Sequence, residues 1–391
     1  MRRRPRALAA AGAAGLAALV IAGCGTSSSS ASSSTAVTVT GHTLTIFLSE
    51  PHNIKGDPAA LDVAEAEQLA FAAGHGQVHD FKLQLQTDAA AQLSDNARAA
   101  IIYPSTVAYM GEIEPGTSDQ TVGITNALDI LQVSPTDNAL ELSTSTPAVS
   151  GGPKSFFESW STYGRTFARL VPSGSEEARA QIAEMRALGI SSVYVASDSS
   201  DYGRALADAV AADAHAAGIT VTHSAAAAGA IFYGAQTPAT AAHYFNRVAA
   251  QAPGAKLFGP SSLNFGPFAT LLSSAAAPRV YVSMPGYLPK DLTPAGRAFV
   301  AAFRSHYHHS PNVEAIFGYA AMSALLHVLA HEGAAANDRT ADVKEFLAQR
   351  KASSLLGTYS INSAGNSNLN AFVFAHVRGG RLVPFAAAPQ G

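Results

Sequence analysis

The order of apolar segments along the chain constrains its fold more than any other feature of the sequence. Short apolar runs with the length of strands alternate with longer segments whose apolar residues recur at helical spacing. The first members of this series are strands at Thr43–Leu48 and Phe81–Leu85 and helices over 59–73 and 89–100. Regular alternation of strands and helices predicts a parallel sheet with helices on both faces.

The alternation then starts again, which predicts a second unit of the same kind. Ile101–Tyr103 and Ile130–Val133 are the next strand candidates, and the restart falls at Arg165–Val171. A closing hairpin is expected around Gly379-Gly380. Because about 350 ordered residues exceed what one core usually serves, we expect two α/β lobes.

One connection in the second unit is unusually short. The strands near 219–222 and 231–234 are separated by fewer residues than the dozen or so that a helical crossover needs. We therefore expect one of these strands to be lost or paired differently.

The N-terminus has the features of an export signal. Four arginines precede an apolar run from Ala7 to Ala22, which is shorter than the roughly 20 residues that span a bilayer as a helix. The end of the run, Val20-Ile21-Ala22-Gly23-Cys24, resembles the lipobox of bacterial lipoproteins, which implies removal of residues 1–23 and lipid on Cys24. The alternative is an incidental cysteine in an ordinary signal peptide.

Composition favours an exported globular body on a flexible tether. Residues 24–41 begin with a Ser-rich tract, which is typical of a flexible linker. Cys24 is the only cysteine, so no internal disulfide can form. Without the four arginines of the signal, 21 basic and 28 acidic residues leave a charge of −7, which argues against nucleic acid as a partner.

Several stretches together resemble the type I periplasmic-binding fold, in the branched-chain amino-acid-binding branch of ABC-transporter solute receptors. They occur in the family's order and cover nearly the whole chain after the tether. They include NARAAIIYPSTVAYMGEI (96–113), DILQVSPTDN (129–138), VYVASDSSDYGRALADAV (193–210) and VEAIFGYAAMSALLHVLA (313–330).

The resemblance implies two Rossmann-like lobes joined by three hinge crossovers. We place the crossovers near 164–171, 282–286 and 356–359. The N-terminal lobe is then 42–165 plus 286–357, and the C-terminal lobe is 166–285 plus 358–391. A small ligand is expected between the lobes, at the carboxyl ends of the strands, and hinge closure would signal its presence to a membrane partner.

The resemblance also indicates which N-lobe residues would hold a ligand. The family binds a ligand carboxylate with an upstream serine and a Ser-Pro-x-x-Thr turn, which here reads Ser134-Pro135-Thr136-Asp137-Asn138. Pro115 stands at the upstream serine position, and Asp137 adds a carboxylate beside the expected anion site. The predicted ligand contacts are Thr117, Ser118, Ser134, Thr136 and Asn138; the alternative is ordinary turn chemistry.

In the C-terminal lobe the resemblance points to two aromatic residues and one departure from the family. Tyr202 and Tyr233 match the family's aromatic ligand contacts; the alternative is a tyrosine at a helix start and another at the edge of the core. Ser261 stands where relatives that bind amino acids carry a glutamate for the ligand ammonium. Because a serine cannot neutralise a buried ammonium, a neutral polar or acidic solute is as plausible as an amino acid.

These features predict a lipid-anchored solute receptor on the extracytoplasmic face of the membrane. It would deliver a small amino-acid-like, amide or carboxylate solute to ABC permease subunits. The alternative is a surface sensor or a degenerate binding paralogue. No catalytic motif is present in the sequence, so we expect neither an enzyme nor a cofactor. The histidines at 306, 308 and 309 are interpreted as solvated or capping groups, so no metal is predicted.

Overall fold

The computed structural model describes residues 37–157 and 164–389. The predicted signal peptide, Cys24 and most of the Ser-rich tether lie outside these residues. Residues Ser34–Gly391 form one compact unit that contains both of the predicted sheets.

The described residues form strands and helices in the expected alternation. The strands are β1 Thr43–Ser49, β2 Gln77–Val78, β3 Phe81–Asp88, β4 Thr106–Met110, β5 Leu131–Ser134, β6 Phe167–Arg169, β7 Ser192–Ser197, β8 Thr220–Thr222, β9 Ala230–Gly234, β10 Lys256–Gly259, β11 Val280–Pro285, β12 Ala352–Ser354, β13 Gly357–Tyr359, β14 Phe372–Arg378 and β15 Arg381–Ala387. The helices are α1 Pro58–Ala73, α2 Leu93–Ile102, α3 Val122–Asn126, α4 Lys154–Phe157, α5 Gly174–Ala187, α6 Asp201–Ala216, α7 Pro238–Gln251, α8 Phe268–Leu271, α9 Pro294–Tyr307, α10 Ala315–Glu332 and α11 Arg339–Ala348.

Two large sheets define two lobes. The N-terminal lobe contains the sheet β2-β3-β1-β4-β5-β6, and the C-terminal lobe contains β15-β14-β11-β10-β9-β7-β8. Pairing is parallel except for β2 and for the hairpin β14–β15 on β11. The predicted α/β class with two Rossmann-like lobes is confirmed.

The central strands of both sheets, such as β4, β9 and β11, are buried on both faces, as expected where helices cover them. In the N-terminal lobe, Ile46 and Val133 pack with Phe317 of α10 in one core cluster. In the C-terminal lobe, alternate residues of β9 enter two different clusters, Phe232 on one face and Ile231 on the other.

The prediction of a strand at Ile101–Tyr103 is wrong. Residues 101 and 102 are the last turn of α2, and the strand follows at β4. Ala97 and Ala100 bury one face of the helix, whereas Ile102 is 76% exposed. Pro104 disfavours helical backbone at the residue before it, so the helix ends there. The strand is formed instead by the continuous buried run Thr106–Met110.

Of the two alternatives expected at the short connection, a lost strand or a strand paired differently, the first is wrong because both strands are present. β8 and β9 both pair in parallel with β7, on opposite sides of it. A single 3₁₀ turn, Ala225–Ala227, replaces the crossover helix. The seven residues between β8 and β9 reach up to roughly 23 Å when extended. This length is enough to run back along the short β8 and to cross β7.

The sheet pairing places the passages of the chain between the lobes after β6, at the end of β11 and near Ala371. β6, assigned by the prediction to the C-terminal lobe, pairs with β5 in the first sheet. Asn366 forms a bridge with Arg169 of β6, so the segment after β13 also stays with the N-terminal lobe. The last two crossings are adjacent, since the N–H of Gly286 donates to the carbonyl of Ala371 at 3.1 Å.

None of the helices in the described part of the chain has both the length and the apolar character needed to cross a bilayer.

Candidate functional site: the interlobe cleft

The backbone of the N-lobe turn surrounds a carboxylate that belongs to the protein itself. The fully buried Asp137 accepts hydrogen bonds from the N–H groups of Gly116 (2.7 Å), Thr117 (3.1 Å) and Ser118 (2.8 Å), and from that of Ala139 (3.0 Å). Converging backbone N–H groups of this kind form an anion-binding nest. Asp137 therefore occupies the place at which the sequence predicted a ligand carboxylate.

The hydroxyl groups predicted to hold a ligand are used within the N-terminal lobe. Ser134 donates to the carbonyl of Glu112 at 2.7 Å, and Thr117 donates to that of Glu114 at 2.6 Å. Thr136 donates to the carbonyl of Ile113, and Ser118 accepts from the N–H of Glu112. These side chains shape the turn.

A second internal carboxylate joins the two lobes. Glu177, in the first turn of α5 and fully buried, accepts from Nδ2 of the N-lobe Asn138 at 2.6 Å. Within the C-terminal lobe it accepts from the N–H of Ser261 (2.6 Å) and from Oγ of Ser283 (2.6 Å). The hydroxyl of Tyr202 donates at 3.4 Å. Burial raises the pKa of Glu177, and these donors partly oppose that rise.

Further hydrogen bonds between the lobes surround Glu177. Gln236 of the C-terminal lobe donates to the carbonyl of Gly116 at 2.7 Å. The N–H of Gly266 donates to Asp57 at 2.6 Å, and Asn264 donates to Glu314 at 2.9 Å. The lobes are thus in contact along the cleft.

An apolar seam continues this contact. Leu140 and Leu142 of the N-terminal lobe belong to the same buried cluster as Ile182 and Leu206 of the C-terminal lobe. Burying an aliphatic side chain of this size contributes about 1.5–3 kcal/mol. The hydrophobic effect therefore favours the closed arrangement without any ligand.

Glycine is required at a close approach of the two lobes. Gly116 has φ +82°, and a Cβ there would lie 2.7 Å from Cβ of Tyr202. Tyr202 is 2% exposed and packs against the backbone of the opposite lobe. A side chain at 116 would force the lobes apart.

The structure brings together most, but not all, of the predicted ligand residues. Asn138, Tyr202 and Ser261 meet at Glu177, while Thr117 and Ser118 donate their backbone N–H groups to Asp137. Tyr233 does not join them, because its ring stacks on that of Tyr244 at a centroid distance of 3.8 Å.

Glu177 was not among the residues predicted from the sequence. Glu176 and Glu177 follow a serine at a helix start, where acidic residues are common because they complement the helix dipole. A usable signal was the spacing of Glu177 and Gln181, four residues apart and hence on one helix face. Both are fully buried.

The turn is anchored by one buried arginine. Arg169, at the end of β6, donates to the carbonyls of Asp137 (3.1 Å) and Ala139 (2.7 Å) and to Oγ of Ser143 (2.7 Å). Burial lowers its pKa to about 10, opposed by the charges of Asp137 and Glu141. The guanidinium therefore holds the backbone carbonyls of the turn in place.

Two other buried carboxyls make stability depend on pH. Burial raises the pKa of Glu112 to about 7, against hydrogen bonds from Tyr109 and Ser49, and it raises the pKa of Glu141 to about 7. A carboxyl with a raised pKa in the folded state binds its proton more tightly there than in the unfolded state. Its contribution to the stability of the fold is therefore lost as the pH rises through about 7.

We therefore expect the free energy of unfolding to fall between pH 5 and pH 8, by up to roughly 3 kcal/mol per group. Urea unfolding at the two pH values measures this change. Glu141→Gln should make the dependence shallower, because it removes one titrating group. A stability that is constant or rises over this range would contradict the assignment.

Two depressions lie at the edge of the cleft, which we call its mouth, where Asp57 and Gly266 of the two lobes meet. One depression of about 430 Å³ and a smaller one of about 150 Å³ share Asp57, Glu114, Gly266 and Pro267 in their linings. Burial, reinforced by Asp57, raises the pKa of Glu114 to about 7. The mouth is therefore acidic.

The two-lobed fold and its cleft can be compared with those of other proteins. The sequence profile of the family described as "Receptor family ligand binding region" matches residues 66–249. No curated protein matches the chain in sequence. The matched family and the similar structures are binding proteins rather than enzymes, as the sequence predicted.

Solved structures show the same fold. The leucine-binding protein LivK of Thermotoga maritima has a TM-score of 0.70 at 16% identity, with 89% of this chain and 99% of that chain covered. A solute-binding protein of an ABC transporter from R. palustris, in complex with benzoate, has a TM-score of 0.66 at 16% identity, covering 88% and 96%. LivJ of Streptococcus pneumoniae, in complex with isoleucine, has a TM-score of 0.63 at 14% identity, covering 88% and 100%. The predicted resemblance to type I periplasmic-binding-fold proteins is confirmed.

Proposed function

We propose that this chain is an extracytoplasmic, lipid-anchored protein of the solute-binding fold whose lobes are held closed by its own side chains. The observation that carries the proposal is Glu177, which joins Asn138 of one lobe to Ser261 and Ser283 of the other. With Asp137 in the N-lobe nest, each group that would contact a ligand carboxylate already has an internal partner.

Closure without a ligand suits a receptor-like protein that does not carry a solute. In two-lobed binding proteins, hinge closure around a ligand is the change that a membrane partner can detect. Here the closed surface is available continuously. The protein would therefore be a degenerate paralogue of a solute receptor. Its closed surface would contact the membrane partner whether or not a solute is present.

The anchor and the location rest on the sequence. The basic head, the short apolar run and Cys24 support export and lipid attachment. Substituting Cys24→Ala in the producing cell should move the protein from the membrane fraction to the soluble extracytoplasmic fraction. Retention in the membrane would contradict lipid on Cys24.

A second candidate is a receptor that delivers a small polar solute to ABC permease subunits. It is favoured by the similarity to ABC-transporter solute-binding proteins and by the acidic depressions at the cleft mouth. A solute would have to open the lobes or bind at the mouth.

A thermal-shift screen separates the two candidates. A ligand at 100 times its dissociation constant stabilises the folded state by about 2.7 kcal/mol. We expect no amino acid, amide, amine or carboxylate to raise the Tm. A compound that raises the Tm of the wild type but not that of Tyr202→Ala would establish the delivery function instead.

A further inference from the structure

Three side chains that could bind a metal meet outside the cleft, on the N-terminal lobe. Asp62 and Glu65 lie one turn apart on α1, so they face the same direction. His309 approaches them from the turn after α9. The chain reverses there because His308 adopts left-handed backbone (φ 63°) at the end of the helix.

The donor atoms of the three residues surround a common point. One donor atom from each residue lies within 4.8 Å of the other two. Nε2 of His309 is 3.5 Å from a carboxylate oxygen of Glu65. This separation exceeds the usual hydrogen-bond lengths, and it matches the spacing of two donors around an ion bound at about 2.0–2.2 Å.

The histidine ring is oriented for such a role. Nδ1 lies 3.2 Å from the carbonyl of Ser310, and the ring packs edge-on against Phe303 at 5.4 Å. When one ring nitrogen donates its N–H to a backbone carbonyl, the other ring nitrogen keeps a free lone pair that can bind a metal. Here that nitrogen is Nε2, which faces Glu65.

The two carboxylates are largely withdrawn from solvent, and one of their oxygens lacks a hydrogen-bond partner among the described residues. The side chain of Asp62 is 9% exposed, and one oxygen of Glu65 is inaccessible to solvent with no hydrogen-bond partner among the described residues. A bound cation would supply the missing positive charge.

We propose that Asp62, Glu65 and His309 bind a divalent transition-metal ion of the zinc type. One imidazole with two carboxylates suits zinc, cobalt or manganese better than calcium or magnesium, which prefer oxygen ligands alone.

The site would also brace the cleft. The N–H of Asn312 donates to Asp62 at 2.6 Å, and its side chain pairs with Asn264 of the other lobe at 3.1 Å. An ion held by α1 and His309 would therefore fix the turn that carries an interlobe contact.

The test uses the chain from residue 24 with Cys24→Ser, freed of metal by a chelator. Calorimetric titration with Zn²⁺ should give one equivalent bound, and Co²⁺ should give visible absorption of a protein-bound ion. Glu65→Gln and His309→Gln should each lower the affinity about tenfold or more. His308→Asn is the matched control, because it removes the adjacent histidine and tolerates left-handed backbone.

Circular dichroism of the metal-free variants should match that of the wild type, which separates loss of a ligand from loss of the fold. The proposal is overturned if the wild type binds none of Zn²⁺, Co²⁺ and Mn²⁺, or if Glu65→Gln and His309→Gln bind as tightly as His308→Asn.

Discussion

Replacing Glu177 with alanine should lower the free energy of unfolding by about 3–5 kcal/mol and loosen the contact between the lobes. The substitution leaves the N–H of Ser261, the amide of Asn138 and the hydroxyl of Ser283 buried without their acceptor. The substitution also removes the free-energy cost of burying the carboxylate. We expect this gain to be smaller than the cost of leaving three buried donors without an acceptor.

Urea unfolding gives the change in stability, and hydrogen exchange locates it. The N–H of Gly174, which donates across the lobes to the carbonyl of Asn138 at 2.7 Å, should exchange faster in the variant. Glu176→Ala is the control, since the side chain of Glu176 pairs with Arg179 on the surface and its loss should change the free energy of unfolding by less than about 1 kcal/mol. If the two variants are equally stable, Glu177 does not join the lobes.

Replacing Asp137 with alanine should destabilise the protein by a similar amount, about 3–5 kcal/mol, and create a binding site for a small carboxylate. Four backbone N–H groups lose their acceptor, and they are already arranged around an anion. Acetate or formate should therefore restore part of the lost stability by binding in the vacated nest.

The measurement is the Tm of wild type and Asp137→Ala against increasing acetate, with chloride at equal ionic strength as the control salt. We expect acetate to raise the Tm of the variant selectively. Equal responses of both proteins to both salts would show that the nest does not bind a carboxylate.

The sequence was sufficient to predict the fold because its signals are local and repeated. Continuous apolar strands, amphipathic helices and glycine at helix ends recur along the chain, and small errors in single elements do not change the architecture. β4 was misplaced because Ile101 and Ile102 are apolar yet lie on an exposed helix end. The short β8–β9 connection was misjudged because a helix is only one way to pass a strand.

The candidate site was predictable only in part, because its chemistry depends on contacts between distant segments. The turn Ser134–Asn138, Tyr202 and Ser261 were identified from the resemblance, and Asp137 was noted beside the expected anion site. Which atoms the N–H groups would face could not be inferred from spacing. Glu177 reaches Asn138 across 39 positions of sequence and from the other lobe, so only the folded structure reveals the pair.

The distance between the lobes in the absence of ligand tests the central claim most directly. Cys24 is the only cysteine, so a chain with Cys24→Ser can be spin-labelled at Gln92→Cys and Thr240→Cys, exposed positions near the two sides of the cleft mouth. A closed protein predicts one narrow distance distribution that amino acids, amides and carboxylates leave unchanged. A broad or longer distribution that shortens when a solute is added would show an open receptor awaiting its ligand.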